Sequence, residues 1–163
     1  MKARNRHPLP SKEAAAIRES LKDMLSDRQA DAILAEPLEK AVSDSWELIL
    51  SRGEPVVLSH EGRNFPALRG FLRIQVDRSF VKVDMGAVPY VVKGADIMSP
   101  GVVAVDRELR KGDWCIVTEE RHNKPLAIAE MLVDGAQVDS MDRGKVARNI
   151  HYVGDKLWDI DTA

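Results

Sequence analysis

The chain has little of several features that mark common classes of protein. Its 163 residues include a single cysteine, Cys115, which excludes an intrachain disulfide and a zinc site built from several thiolates. No stretch approaches the ~20 apolar residues that a membrane-spanning helix needs, and the basic residues 1–7 are not followed by the apolar segment of a secretory signal. We therefore expect a soluble, cytoplasmic protein with no membrane partner.

Patterns that carry catalysis or cofactor chemistry are also missing. There is no GxxxxGK[ST] phosphate loop. Adjacent carboxylates such as Glu119 and Glu120 would point to opposite faces of a strand, so we interpret them as solvated charges near turns. Cys115 lies in an apolar, strand-like run and is interpreted as a small buried residue. No metal-ligand spacing links the four histidines, His7, His60, His122 and His151. The sequence predicts no enzyme activity, no metal and no cofactor.

Charge of one sign is not in excess, since 24 Lys and Arg stand against 26 Asp and Glu. The distribution is uneven, however. Residues 62–93 contain six basic and two acidic residues, and subtracting these from the totals leaves 18 basic and 24 acidic residues elsewhere. A basic middle in an acidic frame is compatible with a nucleic-acid contact and equally with an ordinary solvated face.

The first half of the chain shows mainly helical patterns. A helix is predicted to begin at Pro10, with Ser11 as its N-cap and an apolar face formed by Ile17, Leu21, Met24 and Leu25. Further expected elements follow in order: a helical turn over 29–34, a helix from Pro37 to a Gly53 C-cap, a strand over 55–58, a turn over 60–63, and an ambiguous segment over 65–74.

The second half shows short β runs separated by turn signals. Strands are predicted over 80–83, 102–105, 114–118, 126–133 and 158–160, with helical turns over 144–150. Several short strands with small helices indicate a compact barrel. The sequence therefore predicts an α+β fold, with an N-terminal domain of helices packed on a small sheet (1–78) and a β-barrel domain (79–163).

The most informative stretch runs from Lys93 to Val102. Gly94 follows an apolar, helix-like run and is predicted to take φ > 0 at the helix end. Ser99-Pro100-Gly101 fits a type II turn, with Gly101 supplying φ > 0. Two glycines thus bracket a short exposed connection whose backbone another molecule could approach closely.

This stretch resembles the signature of PUA domains, which are small β-barrel modules that bind structured RNA. Other motifs occur in the order found in the MCT-like translation factors, the malignant T-cell-amplified and ligatin-related family. They are Arg6–Lys12, Phe65–Arg69, Val83–Val88, Asn149–Tyr152 and Asp155–Trp158. The resemblance covers nearly the whole chain. It implies a pre-PUA domain followed by a PUA pseudo-barrel, and a role in translation in which the protein recognises a transfer RNA acceptor end on the small ribosomal subunit.

The resemblance and the basic clusters together indicate an RNA surface. Its expected residues are Lys93, Gly94, Ala95, Asp96, Ile97, Met98 and Gly101, with Arg143, Lys145 and Arg148 as phosphate contacts and His151 as a stacking or hydrogen-bonding contact. For His151, a half-buried structural role is an equal alternative. A second RNA surface would use Arg63, Arg69, Arg73 and Arg78 of the front domain.

The expected partners are transfer RNA or ribosomal RNA, the small ribosomal subunit and a translation-factor protein. Two other function classes stay open from the sequence. One is the RNA-binding subunit of an RNA-modifying enzyme, such as a tRNA-guanine transglycosylase-like system, and it would need a second chain with a catalytic domain. The other is a ribosome-biogenesis or protein adaptor, which would bind its partner independently of salt and retain no RNA.

Overall fold

The structure, a computed structural model, describes residues 1–163 and divides into two compact units. The first unit comprises Met1–Gln75 and Asp159–Ala163, and the second comprises Val76–Trp158. No helix in either unit has the length and apolar character that crossing a bilayer requires.

The first unit combines three helices with a five-stranded antiparallel sheet. Its elements are β1 (Arg4–Pro8), α1 (Ser11–Ser20), α2 (Asp27–Ile33), β2 (Leu38–Ser43), β3 (Trp46–Ser51), β4 (Glu54–His60), β5 (Arg63–Pro66) and α3 (Leu68–Phe71). The strands follow one another across the sheet in chain order, β1-β2-β3-β4-β5. The ambiguous segment over 65–74 thus contains the end of a strand and a short helix.

The helix predicted from Pro37 to Gly53 is wrong, because this stretch forms the β2–β3 hairpin. Asp44 takes φ +50 in a two-residue connection between Ser43 and Trp46, a conformation that Asp tolerates. Gly53 is not a helix cap: Arg52 (φ +54) and Gly53 (φ +84) form the two-residue turn between β3 and β4. Two consecutive positive φ values are typical of type I′ turns, whose twist suits a hairpin.

The helical face predicted from Ile17 to Leu25 is only partly observed, because α1 ends at Ser20 and contains no buried residue. Leu21 and Leu25 lie beyond the helix, where they are buried with Ile33, Ile49 and Val57. The predicted cap is wrong, since Pro10 occupies the N-cap position and makes no side-chain cap.

A capping box instead starts α2. The Ser26 hydroxyl accepts the Gln29 N–H at 3.1 Å, and the Gln29 amide oxygen accepts the Ser26 N–H at 2.9 Å.

The second unit is a six-stranded mixed sheet that curls into a nearly closed barrel. Its elements are β6 (Phe80–Val83), α4 (Val88–Val91), β7 (Ile97–Met98), β8 (Val102–Val105), β9 (Trp114–Glu119), β10 (Pro125–Met131) and β11 (Lys145–Tyr152), with 3-10 turns at Ser99–Gly101 and Gly135–Ser140. The strand order is β7-β11-β10-β9-β6-β8, and only the β6–β9 pair is parallel. The sheet encloses a core of aliphatic side chains to which Cys115 belongs, as predicted.

Three predictions for residues 99–160 are wrong. Residues 144–150 are not helical, because they form most of β11. This strand lies between β7 and β10 and pairs with both. Residues 158–160 form a turn, and only Asp161 makes an isolated bridge, to Lys2. Ser99–Gly101 is a 3-10 turn in which Gly101 does not take positive φ. A Cβ built at Gly101 would lie 3.2 Å from the Ala87 Cβ, so close approach explains that glycine.

Candidate nucleic-acid interface

The candidate interface is built around the α4–β7 segment (residues 88–98). The Asp84 carboxylate accepts the Ala87 N–H at 2.9 Å and so caps the turn that leads into α4. The segment leaves the helix at Gly94, whose φ is +96 and whose N–H donates to the Val91 carbonyl at 3.0 Å. The prediction that Gly94 ends the helix with positive φ is therefore confirmed.

The outer side of this segment exposes apolar and cationic side chains. Tyr90 is 69 % exposed and Met98 is 45 % exposed, so two large apolar side chains of one short segment face solvent. Exposed apolar groups of this kind can mark a binding site when they lie together. Lys93 and Ala95 are exposed between them. Lys93 forms no ion pair with any carboxylate of the chain. An aromatic face beside an unpaired ammonium group can hold a base by stacking and a phosphate by charge.

The inner side of the segment is tied to β11. The Asn149 side-chain amide donates to the carbonyls of Val91 and Ala95, each at 3.0 Å. The Asn149 backbone N–H donates to the Asp96 carboxylate at 3.0 Å. A Cβ built at Gly94 would lie 3.0 Å from the Tyr152 ring, so this ring covers the glycine from within. The segment is thus held at both ends.

Two of the predicted phosphate contacts are already engaged within the chain. Lys145 lies 2.9 Å from the Asp96 carboxylate and Arg148 lies 3.4 Å from Glu130. The hydrogen bond from Lys145 is the main reason why the pKa of Asp96 is lowered from its usual value. Both cations stand on the exposed side of β11 because a bulge opposite β7 places Val146 and Ala147 together in the core. They remain at the surface, but an RNA phosphate would compete with a carboxylate for each.

Arg143 keeps its predicted position at the surface. It is exposed in the bend before β11 and pairs with no carboxylate. The following residue, Gly144, accepts the Ser99 N–H at 2.9 Å, which places this bend beside the end of β7. Gly101, the last residue of the 3-10 turn that follows β7, is half-buried against Ala87.

Two predicted contact residues have buried side chains. Ile97 belongs to the core of the barrel, so its side chain is not available to RNA. His151 is 2 % exposed, and its Nδ1 lies 2.9 Å from the Asp155 carboxylate. The structural alternative for His151 is therefore correct. Burial opposes ionisation of Asp155, but His151 and the N–H groups of Tyr152 and Trp158 outweigh it and lower the pKa of this carboxyl.

The arginines of the predicted second surface have internal roles or internal partners. The Arg73 guanidinium donates to the Ala32 and Ile33 carbonyls and, at 2.7 Å, to the Ser51 hydroxyl, so it links α2 to β3. Arg78 belongs to the second unit and pairs with Asp77 at 3.3 Å. Arg63 and Arg69 lie in β5 and α3, and each has an interaction within the chain. Arg73 is thus a structural residue of the first unit.

Titratable side chains do not assemble into a metal-binding group. No cluster of three or more His, Cys, Asp or Glu side chains is placed to hold a metal ion. Glu119 differs from its prediction, because it is buried rather than solvated. Burial opposes its ionisation, but the backbone N–H groups of His122 and Lys124 lower its pKa by hydrogen bonding. Glu119 thus organises the β9–β10 turn.

Sequence reasoning missed the exposed Tyr90 and the two residues that support the segment from its inner side, Asn149 and Tyr152. Tyr90 precedes Lys93 by three residues, a spacing that puts both on one side of a helical turn, and this signal was available. Asn149 and Tyr152 could not be placed while their segment was interpreted as helical. In β11 they lie beside α4 because β11 pairs with β7.

Comparison with known proteins agrees with the fold and with the sequence motifs. A family model described as "PUA domain" matches residues 79–153. A solved structure described as a conserved PUA domain protein from Thermoplasma acidophilum superimposes with a TM-score of 0.82 and 32 % identity, covering 95 % of this chain and 98 % of that one.

Similar sequences extend over both units. An uncharacterised protein of Methanocaldococcus jannaschii is 33 % identical over 160 residues, covering 97 % of this chain and 98 % of its own length. Translation machinery-associated protein 20 of Schizosaccharomyces pombe is 32 % identical, covering 71 % of this chain and 66 % of its own. Malignant T-cell-amplified sequence 2 of Mus musculus is 28 % identical, covering 73 % and 68 %. The chain therefore belongs to the PUA-domain proteins of the MCT-like family, as its motifs predicted.

Proposed function

We propose that this chain is a non-catalytic RNA-binding protein of the translation machinery that recognises a transfer RNA acceptor end on the small ribosomal subunit in the cytoplasm. The observation that carries the proposal is the exposed face of the α4–β7 segment, with Tyr90 and Met98 beside the unpaired Lys93. The family membership and the printed name of the fission-yeast relative support a role in translation.

The chemistry of this face favours an unpaired RNA end over a duplex. A base can stack on Tyr90 only if it is not already stacked in a helix, and single-stranded ends meet this condition. The neighbouring backbone is held by Asn149 and carries small residues at Gly94 and Ala95, so a sugar or phosphate can approach it closely. Lys93 and Arg143 are positioned to neutralise phosphates beside the stacked base.

Binding to transfer RNA with and without its unpaired 3′-terminal nucleotides tests the proposal. The intact RNA should bind more tightly, and Tyr90→Ala should remove most of this difference, since base–aromatic stacking contributes ~1–3 kcal/mol per base. Leu72→Ala is the matched control, because Leu72 is an exposed apolar residue of the first unit. Equal affinity for both RNAs, or parental binding by Tyr90→Ala, would contradict acceptor-end recognition.

The non-catalytic part of the proposal has a separate test. Purified chain incubated with transfer RNA should yield no modified nucleoside on mass spectrometry. A modified nucleoside formed by this chain alone would show that it is an enzyme. The small ribosomal subunit is the proposed site of action, and co-sedimentation with it, enhanced by bound transfer RNA, is the expected result.

A further inference from the structure

We propose that Asn149 is a positioning residue: it fixes the α4–β7 segment in the conformation that binds RNA without touching the RNA itself. The inference rests on the proposed function of that segment. It concerns a side chain on β11, the strand next to the edge strand β7, rather than one on the binding face.

Three hydrogen bonds converge on this one residue. The side-chain Nδ2 donates to the Val91 carbonyl at the end of α4 and to the Ala95 carbonyl after Gly94, both at 3.0 Å. The backbone N–H donates to the Asp96 carboxylate at 3.0 Å. Asn149 therefore holds the chain on both sides of Gly94, the point where the backbone turns out of the helix. A single amide with two donor hydrogens satisfies both carbonyls at once.

The acceptor atom of the same side chain is inaccessible to a ligand. The Asn149 Oδ1 atom is buried and has no hydrogen-bond partner. An RNA group could not reach this acceptor unless the segment first moved away. Leaving a buried Oδ1 unpaired costs free energy. The fold accepts this cost while both Nδ2 hydrogen bonds are made, which indicates that the two donors are the functional part of the side chain.

The hydrogen bonds of Asn149 explain how Asp96, a carboxylate, can lie within a surface proposed to bind RNA. Its carboxylate is committed to the Asn149 N–H and to Lys145 at 2.9 Å, and the pKa of Asp96 is lowered by that ion pair. Asp96 is thus ionised, neutralised by Lys145 and directed toward β11. Its role is to complete the attachment of the segment rather than to contact RNA.

The test is Asn149→Asp, an isosteric change that replaces the double donor with a carboxylate facing two carbonyl oxygens. RNA affinity should fall at least about tenfold, the equivalent of ~1.4 kcal/mol. In the RNA-free protein, the amides of Gly94 and Ala95 should exchange hydrogen faster, while those of β6 and β9 keep parental protection. The dependence of affinity on salt should stay parental, because no phosphate contact is lost.

Two further variants keep the test decisive. Asn149→Ala removes the donors without adding charge and should give the same local exchange and weaker binding if Asn149→Asp does not fold. Asn123→Asp is the matched control, since Asn123 of the same unit donates from Nδ2 to a backbone carbonyl, that of Val76, at 3.2 Å. It should bind RNA with parental affinity.

The outcomes separate this inference from the proposed function. If the parental chain does not bind RNA, the proposed function fails and the positioning role falls with it. If the parental chain binds and the folded Asn149 variants bind equally well, only the positioning role is overturned. Weaker binding with unchanged exchange at Gly94 and Ala95 would also overturn it, because a direct contact to RNA would then be the explanation.

Discussion

Replacement of Gly94 by alanine tests the geometry of the candidate interface most directly. Two separate effects should follow. At φ +96, a Cβ atom meets its own backbone, and the left-handed conformation costs an L-residue about 1–2 kcal/mol. The new Cβ would also lie 3.0 Å from one carbon of the Tyr152 ring and 3.2 Å from another, so the ring must shift. Overpacking of this kind typically costs about 1–3 kcal/mol.

A second glycine allows the two effects to be separated. Gly112 has φ +92, nearly the same as Gly94, but a Cβ built there meets nothing within 4 Å. Gly112→Ala should therefore report the backbone strain alone, and Gly94→Ala should destabilise the protein by about 1–3 kcal/mol more. Because domains typically have ~5–15 kcal/mol of stability, both variants should fold.

Urea denaturation of the parental protein and four variants provides the measurement. Besides the two glycine variants, Tyr152→Ala and the double variant Gly94→Ala/Tyr152→Ala complete a double-mutant cycle. Removal of the ring should abolish the extra destabilisation, leaving Gly94→Ala as mild as Gly112→Ala. Equal destabilisation by the two glycine variants in the parental background would refute the reasoning. RNA affinity should fall for Gly94→Val, which adds a β-branched side chain at the same point, and should be unchanged for Gly112→Ala.

Other features of the structure lead to further predictions. The pKa of Asp155 is lowered in the folded state, so the ionised carboxylate stabilises the fold above the unfolded pKa of about 3.9, and this stability is lost as the pH falls toward the folded pKa. Asp155→Asn should therefore be less stable at pH 7. Its free energy of unfolding, measured in urea, should also fall less steeply between about pH 5 and pH 2. Arg73→Ala should lower the free energy of unfolding by about 2–3 kcal/mol, because several buried acceptors lose a charged donor, whereas Arg78→Ala should change it little. Burial raises the pKa of Cys115 to about 12, so this thiol should resist maleimide at pH 7 until the protein is unfolded in urea, and rapid native labelling would contradict its place in the core.

The parts of the fold that could be predicted from the sequence are those with a strong local signal. The strand Phe80–Val83 alternates between the core and the surface, and its observed bounds equal the predicted ones. Gly94 was identified because a glycine after an apolar helical run has one common role. The α+β class and the PUA barrel followed from short strands, turn residues and the motifs together, and both are confirmed.

The two segments wrongly predicted as helical share one physical cause, because strand pairing decided their structure against the local helical spacing of their apolar residues. Leu38, Val42, Trp46 and Ile49 recur at helical spacing, yet they belong to two paired strands in which neighbouring residues face different surroundings. In β11, the bulge at Val146 and Ala147 destroys the alternation that would have identified a strand. Pairing partners distant in sequence decided both segments, and a single window contains no information about them.

The location of the candidate site stays a prediction, but the sequence overestimated its free positive charge. Basic residues can be counted from a sequence, whereas their acidic partners become visible only in the fold. Asp96 lies 49 residues from Lys145, and Glu130 lies on the strand that pairs with the strand of Arg148. The number of basic residues in a sequence cluster is thus an upper limit on the positive charge that RNA can contact.

This correction changes the expected salt dependence of RNA binding. At the α4–β7 segment only Lys93 and Arg143 lack an acidic partner, so about two phosphates should be neutralised. The slope of log affinity against log salt should then be about −1.4 for a single-stranded end, since each contact contributes about −0.7. If RNA phosphates displaced Asp96 from Lys145 and Glu130 from Arg148, four contacts would give about −2.8. A slope near the smaller value, reduced by about half in Lys93→Ala, would show that stacking on Tyr90 and the held backbone dominate recognition. A slope near the larger value would mean that both ion pairs open on binding, and Lys145→Ala and Arg148→Ala should then each lower the slope by about a quarter.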